Sequence, residues 1–282
     1  MLYLLLYIFC SAAMALVLKF VHSDTGNRYG IILGNYLTCI VIAFLMLPQK
    51  SALAAPGGTT LLCSGIAGFL YVLSLVIMQT SLRINGATLT TAFSKLGLLV
   101  TLAVSILLFG ERPGALQGLG IALVAGSMVL IHAEKEGGQN AAGSFPLLLI
   151  MLVTSGSSDV MAKVFEQVGS RSEDGLYLFF LFFTAAMLTS GLALLEYRKT
   201  GKRILLRELA AGIALGIPNY FSSMLLLRAL TKLPAFIVYP SCSTGTILLV
   251  MIASAFLFKE RIGRRQLLGL LLILAALVLL NL

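Results

Sequence analysis

The sequence predicts an all-α integral membrane protein with ten transmembrane helices, arranged as two inverted repeats of five helices. Three observations support this prediction: an apolar composition, ten apolar runs of membrane-spanning length, and a motif that occurs once in each half of the chain. The 282 residues are 59% hydrophobic and 11% charged, whereas an average soluble domain is about 25% charged. The mean hydropathy is +1.01. These values exclude a soluble enzyme, a disordered chain and a nucleic-acid-binding domain of the usual kind.

The apolar runs are long enough to cross a membrane, which requires roughly 20 residues per helix. They lie at about 2–22, 30–47, 60–82, 87–109, 113–132, 145–168, 175–197, 208–230, 234–258 and 264–282. The first run has no basic residue before Lys19, unlike a signal peptide, so we expect it to be a retained span. A polar, Gly-rich linker divides the chain into a first repeat over 1–132, the linker over 133–143 and a second repeat over 144–282.

The two halves share a motif at the end of the fourth run of each. Phe109–Gly120 reads FGERPGALQGLG and Phe258–Gly269 reads FKERIGRRQLLG, with Phe, Glu, Arg, Gln and the final Gly matching at one offset of 149. An offset of 144 aligns Lys19 with Lys163. Since each half has an odd number of spans, the second half enters the membrane from the side opposite to the first, which gives an inverted-topology repeat.

This arrangement resembles the drug/metabolite transporter superfamily, specifically its EamA-type members. The resemblance rests on ten spans in a five-plus-five order and on FGER or FKER followed by Q-x-x-G in each half, and it covers essentially the whole chain. It implies a ten-helix bundle in the cell membrane with a central cavity and alternating access. It also implies export or exchange of a small metabolite, such as an amino acid, without fixing the substrate.

Lys95 is the most deeply placed charge in the chain, nine residues into its apolar run. A charge at mid-bilayer costs at least about 2.5–3.5 kcal/mol. Thr88, Thr91 and Lys95 follow one helical stripe at i, i+3 and i+7, so we expect them to line a cavity and attract an anionic substrate group. The alternative is a Lys95 that neighbouring carbonyls satisfy for structural reasons.

Asp159 and Lys163 are predicted to form an ion pair within one helix, since they are separated by i, i+4 with the acid on the N-terminal side. We expect Asp159 to act in substrate binding, gating or coupling, and Lys163 to line the cavity. Lys19, the repeat mate of Lys163, is a second gating candidate. The alternative is that the pair is structural, because pairing relieves much of the cost of burial.

Two proline-containing runs carry further candidates. Pro218 lies in GIPNY, where Asn219 and Tyr220 are predicted substrate contacts beside a helix kink. Tyr239 precedes the second such proline, and Tyr239 and Tyr71 are candidates to pack on the apolar part of a substrate. The alternative is that these rings pack against lipid or other helices.

The charged pairs after the fourth and ninth spans are predicted to serve the helices rather than the substrate. Glu111 with Arg112, and Glu260 with Arg261, precede a helix start, where a carboxylate favours the N-terminus. We expect each acid to cap the next helix, with gating as the alternative. Of 18 basic residues outside mid-span positions, 13 lie in the loops that follow the first, third, fifth, seventh and ninth spans. This distribution favours external termini. The family resemblance, in contrast, implies cytoplasmic termini.

No cofactor or metal is predicted. The four cysteines lie inside apolar runs, and His22 and His132 lack a ligand partner at usable spacing. The chain has no nucleotide-binding P-loop, so the expected partners are a small metabolite and the lipid bilayer, not a nucleic acid. Proton coupling through Asp159 and uncoupled exchange both stay open. The other classes considered are an integral-membrane enzyme, whose clustered His, Glu or Cys is missing, and a structural membrane subunit, which would not need buried Lys and Asp.

Overall fold

The structure, a computed structural model, describes residues 2–20, 26–27, 29–132, 144–257 and 264–280. All regular secondary structure in these residues is helical. The helices are α1 (Leu2–Phe20), α2 (Gly30–Met46), α3 (Gly58–Leu96), α4 (Leu98–Phe109), α5 (Ala115–His132), α6 (Phe145–Val168), α7 (Asp174–Thr200), α8 (Leu206–Leu230), α9 (Ala235–Leu257) and α10 (Arg264–Leu280), with short 3-10 turns at Lys50–Ala54 and Arg171–Glu173. The predicted linker over 133–143 lies outside the described residues.

Helix α3 differs from the predicted third and fourth runs, because helical backbone bonding continues through residues 83–86. The helix is nevertheless not straight. Ser81 Oγ and Thr90 Oγ1 are 2.8 Å apart and both residues are buried, whereas nine residues of a straight helix span about 14 Å. The chain therefore reverses between Ser81 and Thr90, in agreement with the predicted boundary between these two runs. A second interruption at Gly97 separates α3 from α4.

Five of the described helical segments are long and apolar enough to cross a membrane: Gly58–Ser81, Phe145–Val168, Arg171–Thr200, Leu206–Leu230 and Ala235–Ala253. Shorter apolar helices are Leu2–Val17, Gly30–Met46, Leu98–Phe109 and Ala115–Ser127. Large apolar side chains such as Phe9, Leu107 and Phe256 are exposed over most of their surface. Exposed apolar area on this scale suits contact with lipid rather than water.

The helices form two compact units. The first unit contains Met1–Val72 and Val164–Arg228, and the second contains Leu73–Lys163 and Ala229–Leu282. Each unit therefore takes segments from both predicted sequence repeats. The predicted repeat boundaries describe a duplication along the chain, and they stay a prediction.

In the first unit, α2 packs closely against α7 and α8. A β-carbon built at Gly212 of α8 would lie 2.6 Å from Gly34 Cα and 2.7 Å from Asn35 N of α2. Such spacing is closer than any side chain tolerates, so the glycines allow the two backbones to touch. This is the packing mode of membrane helices with small residues at their interface.

The core of the second unit is built by α4, α5, α9 and α10. It consists of the buried side chains Leu98, Leu102, Val124, Phe236 and Ala276. The helices α3 and α4 meet α6 at a glycine pair, where a β-carbon at Gly97 would lie 2.8 Å from Gly156 N. This contact brings the predicted Lys95 segment next to the helix that carries Asp159 and Lys163.

Candidate functional site

The strongest electrostatic feature of the second unit is a buried ion pair between Lys163 of α6 and Glu111. Lys163 Nζ lies 3.1 Å from Glu111 Oε1, and the two side chains are 4% and 11% exposed. Pairing offsets the high cost of placing a lone ammonium in an apolar region. The structure places Lys163 in the interior and pairs it with Glu111, whereas the sequence predicted that Glu111 caps a helix.

Glu111 is positioned by the turn that ends α4. Gly110 has a left-handed backbone with φ 67°, and Glu111 N donates to Ser105 O at 3.2 Å. Gly110 N donates to the same oxygen, and glycine favours this left-handed helix end because it has no β-carbon. The turn directs the chain away from α4, so that the Glu111 side chain leaves the helix axis.

The Glu111 carboxylate also caps α9. Its Oε1 accepts from Ala235 N at 2.9 Å and its Oε2 accepts from Phe236 N at 3.2 Å. A carboxylate is favoured here because the first N–H groups of a helix are unsatisfied and carry positive partial charge. The prediction that Glu111 caps the next helix, α5, was therefore wrong. Gln117 caps the start of α5 instead, because its Oε1 accepts from Gly114 N at 2.9 Å.

Asp159 and Tyr239 meet between α6 and α9. The Tyr239 hydroxyl donates to the backbone oxygen of Asp159 at 2.7 Å, and the Tyr239 side chain is buried whereas Asp159 is half-buried. Lys163 lies one helical turn after Asp159 on α6, and it is linked to the start of α9 through Glu111. Their predicted mutual pairing stays a prediction, because the structure adds Glu111 as a partner of Lys163 without excluding Asp159.

The side chains of Lys95, Thr88 and Thr91 lie outside the described residues, and so does that of Lys19. Their neighbours are described. Ser94 Oγ and Ser155 Oγ are 3.1 Å apart, and Thr101 Oγ1 donates to Gly156 O at 3.2 Å. The helical segment that carries Lys95 is thus joined to α6 by polar side chains on both sides of the Gly97 interruption.

In the first unit, Asn219 bonds across to α2. Its Nδ2 donates to Asn35 Oδ1 at 3.1 Å. The Cys39 thiol donates to Gly216 O at 3.3 Å, close to the kink-forming Pro218. These contacts satisfy polar groups inside the bundle and stabilise the α2–α8 crossing. Asn35 and Cys39 were not among the predicted site residues, and they lie in a run with no charge to draw attention to them.

Tyr220 is buried in an aromatic cluster of the first unit. Its ring centroid lies 6.4 Å from that of Phe182, which lies 6.2 Å from that of Tyr36. Tyr71 is half-buried and within electrostatic range of Tyr36 and Tyr177. The predicted candidates Asn219, Tyr220 and Tyr71 thus belong to one polar and aromatic interior region, whereas Asp159, Lys163 and Tyr239 belong to another in the second unit.

Long apolar helices with exposed apolar side chains, together with a buried ion pair, indicate a multi-pass membrane protein. Among the described residues, no group of three or more His, Cys, Asp or Glu is placed to hold a metal ion.

Residues 144–282 match the sequence model of the EamA-like transporter family. On this match the second half of the chain belongs to that family, within the drug/metabolite transporter superfamily. The family points to a transporter rather than an enzyme. A curated protein of Haemophilus influenzae, named only as an uncharacterized protein, is 24% identical over 284 residues, covering 97% of this chain and 95% of the relative. A crystal structure of a protein with 15% sequence identity has a TM-score of 0.77, covering 99% of this chain and 96% of the other, which indicates a shared fold.

Proposed function

We propose that the protein is a secondary transporter of the cell membrane that moves a small metabolite by alternating access between two inverted five-helix repeats. The observation that carries this proposal is the match of residues 144–282 to a transporter family in a chain of membrane-spanning helices. Alternating access follows from inverted repeats, because exchange of their conformations opens a central site first to one side and then to the other.

Reciprocal helix contacts within the first unit support the inverted repeat. A β-carbon at Gly68 of α3 would lie 2.6 Å from Leu181 O of α7, and one at Gly212 of α8 would lie 2.6 Å from Gly34 Cα of α2. Gly68 and Gly212 are separated by 144 residues, the offset that aligns Lys19 with Lys163. The third helix of each predicted repeat therefore packs through an equivalent glycine on the second helix of the other.

The loops of the first unit exchange contacts in the same way. Glu173, just before α7, accepts from Gly57 N at 3.3 Å and from the Thr60 hydroxyl, both at the start of α3. Asn27, just before α2, donates to Lys202 O at 3.4 Å, just before α8. A pseudo-two-fold relation between the repeats produces such reciprocity, whereas an unrelated set of helices has no reason to.

The proposed substrate carries a carboxylate, as an amino acid does. Lys95 would supply the attracting charge, with Thr88 and Thr91 on the same helical stripe. Two atoms in the second unit support a polar ligand path: Gln79 Oε1 and Ser241 Oγ are buried and have no hydrogen-bond partner within the described part of the chain. Buried polar atoms are otherwise nearly always paired, and the aqueous path of a transporter supplies such partners.

Gating is proposed at the Glu111–Lys163 pair, with coupling at Asp159. The pair joins the α4–α5 connection, α6 and the start of α9, so any movement of α9 against α6 at this end must separate it. A proton on Asp159 would remove a negative charge one turn from Lys163. The coupled cycle therefore predicts that a proton gradient drives net flux through the wild type and not through Asp159→Asn, whereas exchange of substrate for substrate persists in that variant.

A flux assay in proteoliposomes tests the proposed function. Labelled amino acids, organic acids and amines are loaded inside, and efflux is measured with and without unlabelled substrate outside. We expect a carboxylate-bearing compound to leave faster than from protein-free liposomes, and faster still with substrate on the far side, because a carrier returns more quickly when loaded. Flux equal to that of protein-free liposomes for every compound would contradict transport, and flux without this acceleration would contradict alternating access.

A further inference from the structure

A groove of about 330 Å³ lies in the first unit, and none of the residues proposed for transport lines it. It is formed where the loop before α2, the C-terminal part of α7 and the segment before α8 meet. Its wall is mostly apolar and includes Leu33, Ala193, Leu194 and Ile204, while Tyr197 and Arg203 lie on the same wall. The volume is at the lower end of the range for ligand pockets, about 300–1,000 Å³.

The walls of the groove are held together by a buried side chain. Asn27 is 1% exposed, and its Nδ2 donates to Ala193 O at 2.8 Å and to Lys202 O at 3.4 Å. The α7 helix ends at Gly201, whose left-handed backbone has φ 70°, and the chain then turns back beside α7. The shape of the groove therefore follows from satisfied hydrogen bonds rather than from a chance gap.

The polar end of the groove carries concentrated positive charge. Residues 196–208 contain five basic and two acidic side chains, a net charge of +3. One of the acids, Glu208, is 1% exposed and accepts from Leu205 N at 2.9 Å, so it offers little charge to the surface. Lys202 and Arg203 are exposed.

The apolar side of the groove is open to the surroundings. On the groove wall, Leu194 is 51% exposed and Tyr197 is also exposed. Leu206, two residues after the lining residue Ile204, is 82% exposed. Tyrosine beside Lys and Arg at the end of an apolar helix is typical of the membrane–water interface. A groove with this composition is expected at the boundary between the hydrocarbon region and the headgroups.

We infer that this groove binds an anionic phospholipid of the surrounding leaflet, with part of an acyl chain against Leu33 and Leu194 and the phosphate near Lys202 and Arg203. A soluble metabolite fits poorly, because the wall offers few polar groups to replace its water. A zwitterionic lipid fills the apolar part equally well and lacks the net charge. This site is separate from transport, so it stands whether or not the proposed function does.

The test compares headgroups on the purified full-length protein. Phosphatidylglycerol and phosphatidylcholine with the same acyl chains are added in a neutral detergent, and lipid adducts are counted by native mass spectrometry beside the melting temperature. We expect tighter binding and a larger rise in melting temperature with phosphatidylglycerol. Inorganic phosphate at the same concentration is the control for a free anion, and we expect it to have no effect.

Two variants locate the lipid by independent properties of the groove. Lys202→Gln with Arg203→Gln removes two charges, each worth about five-fold near an anionic surface, so we expect phosphatidylglycerol affinity to fall about 25-fold with phosphatidylcholine unchanged. Ser190→Phe leaves the charges and fills the groove from an exposed position on α7, and we expect it to weaken both lipids. Arg171→Gln removes an exposed charge that does not line the groove and should bind as the wild type does.

Equal affinity for the two headgroups, or an unchanged preference in the charge variant, would overturn the inference. So would the same stabilisation by inorganic phosphate, since that would assign the basic end to a free anion. If the charge variant fails to fold, Ser190→Phe decides alone: retained lipid binding in that variant places the lipid elsewhere.

Discussion

At the scale of single residues, Glu111 binds one ammonium and two backbone N–H groups. The two members of the Glu111–Lys163 pair depend on each other to different degrees. If Lys163 is removed, the carboxylate keeps both N–H donors and the favourable helix terminus. If the Glu111 charge is removed, Lys163 loses a charged partner in an interior position. The pair should therefore respond asymmetrically to substitution.

We predict that Glu111→Gln lowers the free energy of unfolding by up to about 3–5 kcal/mol, the cost of breaking a buried pair from one side, and that Lys163→Met costs less. The double variant should recover part of the loss. Melting temperatures in detergent measure all three, with Glu196→Gln, near the end of α7, as a control for loss of a carboxylate. Purely additive effects would show that the pair is not coupled.

The same cycle with Asp159→Asn in place of Glu111→Gln decides which carboxylate pairs with Lys163. Coupling in both cycles would mean that Lys163 is shared between Glu111 and the predicted partner one turn away. Coupling with Glu111 alone would remove the predicted Asp159–Lys163 pair and leave Asp159 for a role in the transport cycle.

Lys95 is the residue on which the proposed substrate class depends. Lys95→Gln keeps length and polarity and removes the charge, so we predict near-normal folding and membrane insertion with loss of most carboxylate flux. Flux of the best substrate and the amount of inserted protein are measured together. Lys50→Gln, which removes an exposed charge from the turn Lys50–Ala54, is the control and should transport normally. Normal flux in Lys95→Gln would remove Lys95 from the site, and failure to insert would favour the structural alternative.

The sequence indicated which charged residues lie inside apolar runs, but it did not indicate which residues they bind. Lys163 could be singled out because a charge inside an apolar run is costly. Glu111 could not be predicted as its partner, because Asp159 and Glu166 lie on the same helix within four residues of Lys163, whereas Glu111 reaches α6 only through the fold. The motif that repeats Glu111 as Glu260 marked the residue as special, although it pointed to the wrong helix.

At the scale of elements, the apolar runs predicted most helix boundaries to within a few residues. The run at 30–47 is α2 (Gly30–Met46), and that at 145–168 is α6 (Phe145–Val168). The exception is α3, because the runs at 60–82 and 87–109 were predicted as separate helices, whereas helical bonding continues between them through a reversal of the chain. Periodicity and composition locate apolar runs, but they carry no information on how tightly two runs are joined.

Substitution by valine should distinguish glycines at a close helix contact from glycines with open space beside them. We predict that Gly212→Val lowers the free energy of unfolding by about 1–3 kcal/mol, the usual cost of overpacking. The reason is that the added β-carbon would meet the backbone of α2. Gly68→Val, its repeat equivalent, should behave alike. Gly191→Val is the matched control, since a β-carbon there meets nothing within 4 Å. Melting temperatures give the comparison, and equal effects at Gly212 and Gly191 would contradict the close crossing of α2 and α8.

At the scale of the whole molecule, the compact units and the sequence repeats divide the chain in different ways. Each unit combines segments of both predicted repeats, and in the first unit the third helix of one predicted repeat packs on the second helix of the other. Neither repeat in isolation would bury these glycine surfaces. The two halves are therefore expected to fold together, which fits a duplicated chain whose copies have come to depend on each other.

The last prediction tests the inverted topology that the proposed mechanism requires. If each repeat has five spans, the connection after the fourth span lies on one face of the membrane and the connection after the ninth lies on the other. Single cysteines at Gly114 and Gly263, in a background without the four native cysteines, should then react with an impermeant thiol reagent from opposite sides. A cysteine at Ser172, after the sixth span, is the internal reference and should react from the same side as Gly114. Labelling of Gly114 and Gly263 from one side would mean an even number of spans between them where five are predicted. The second repeat would then not be inverted, and alternating access by exchange of the two repeats would lose its geometric basis.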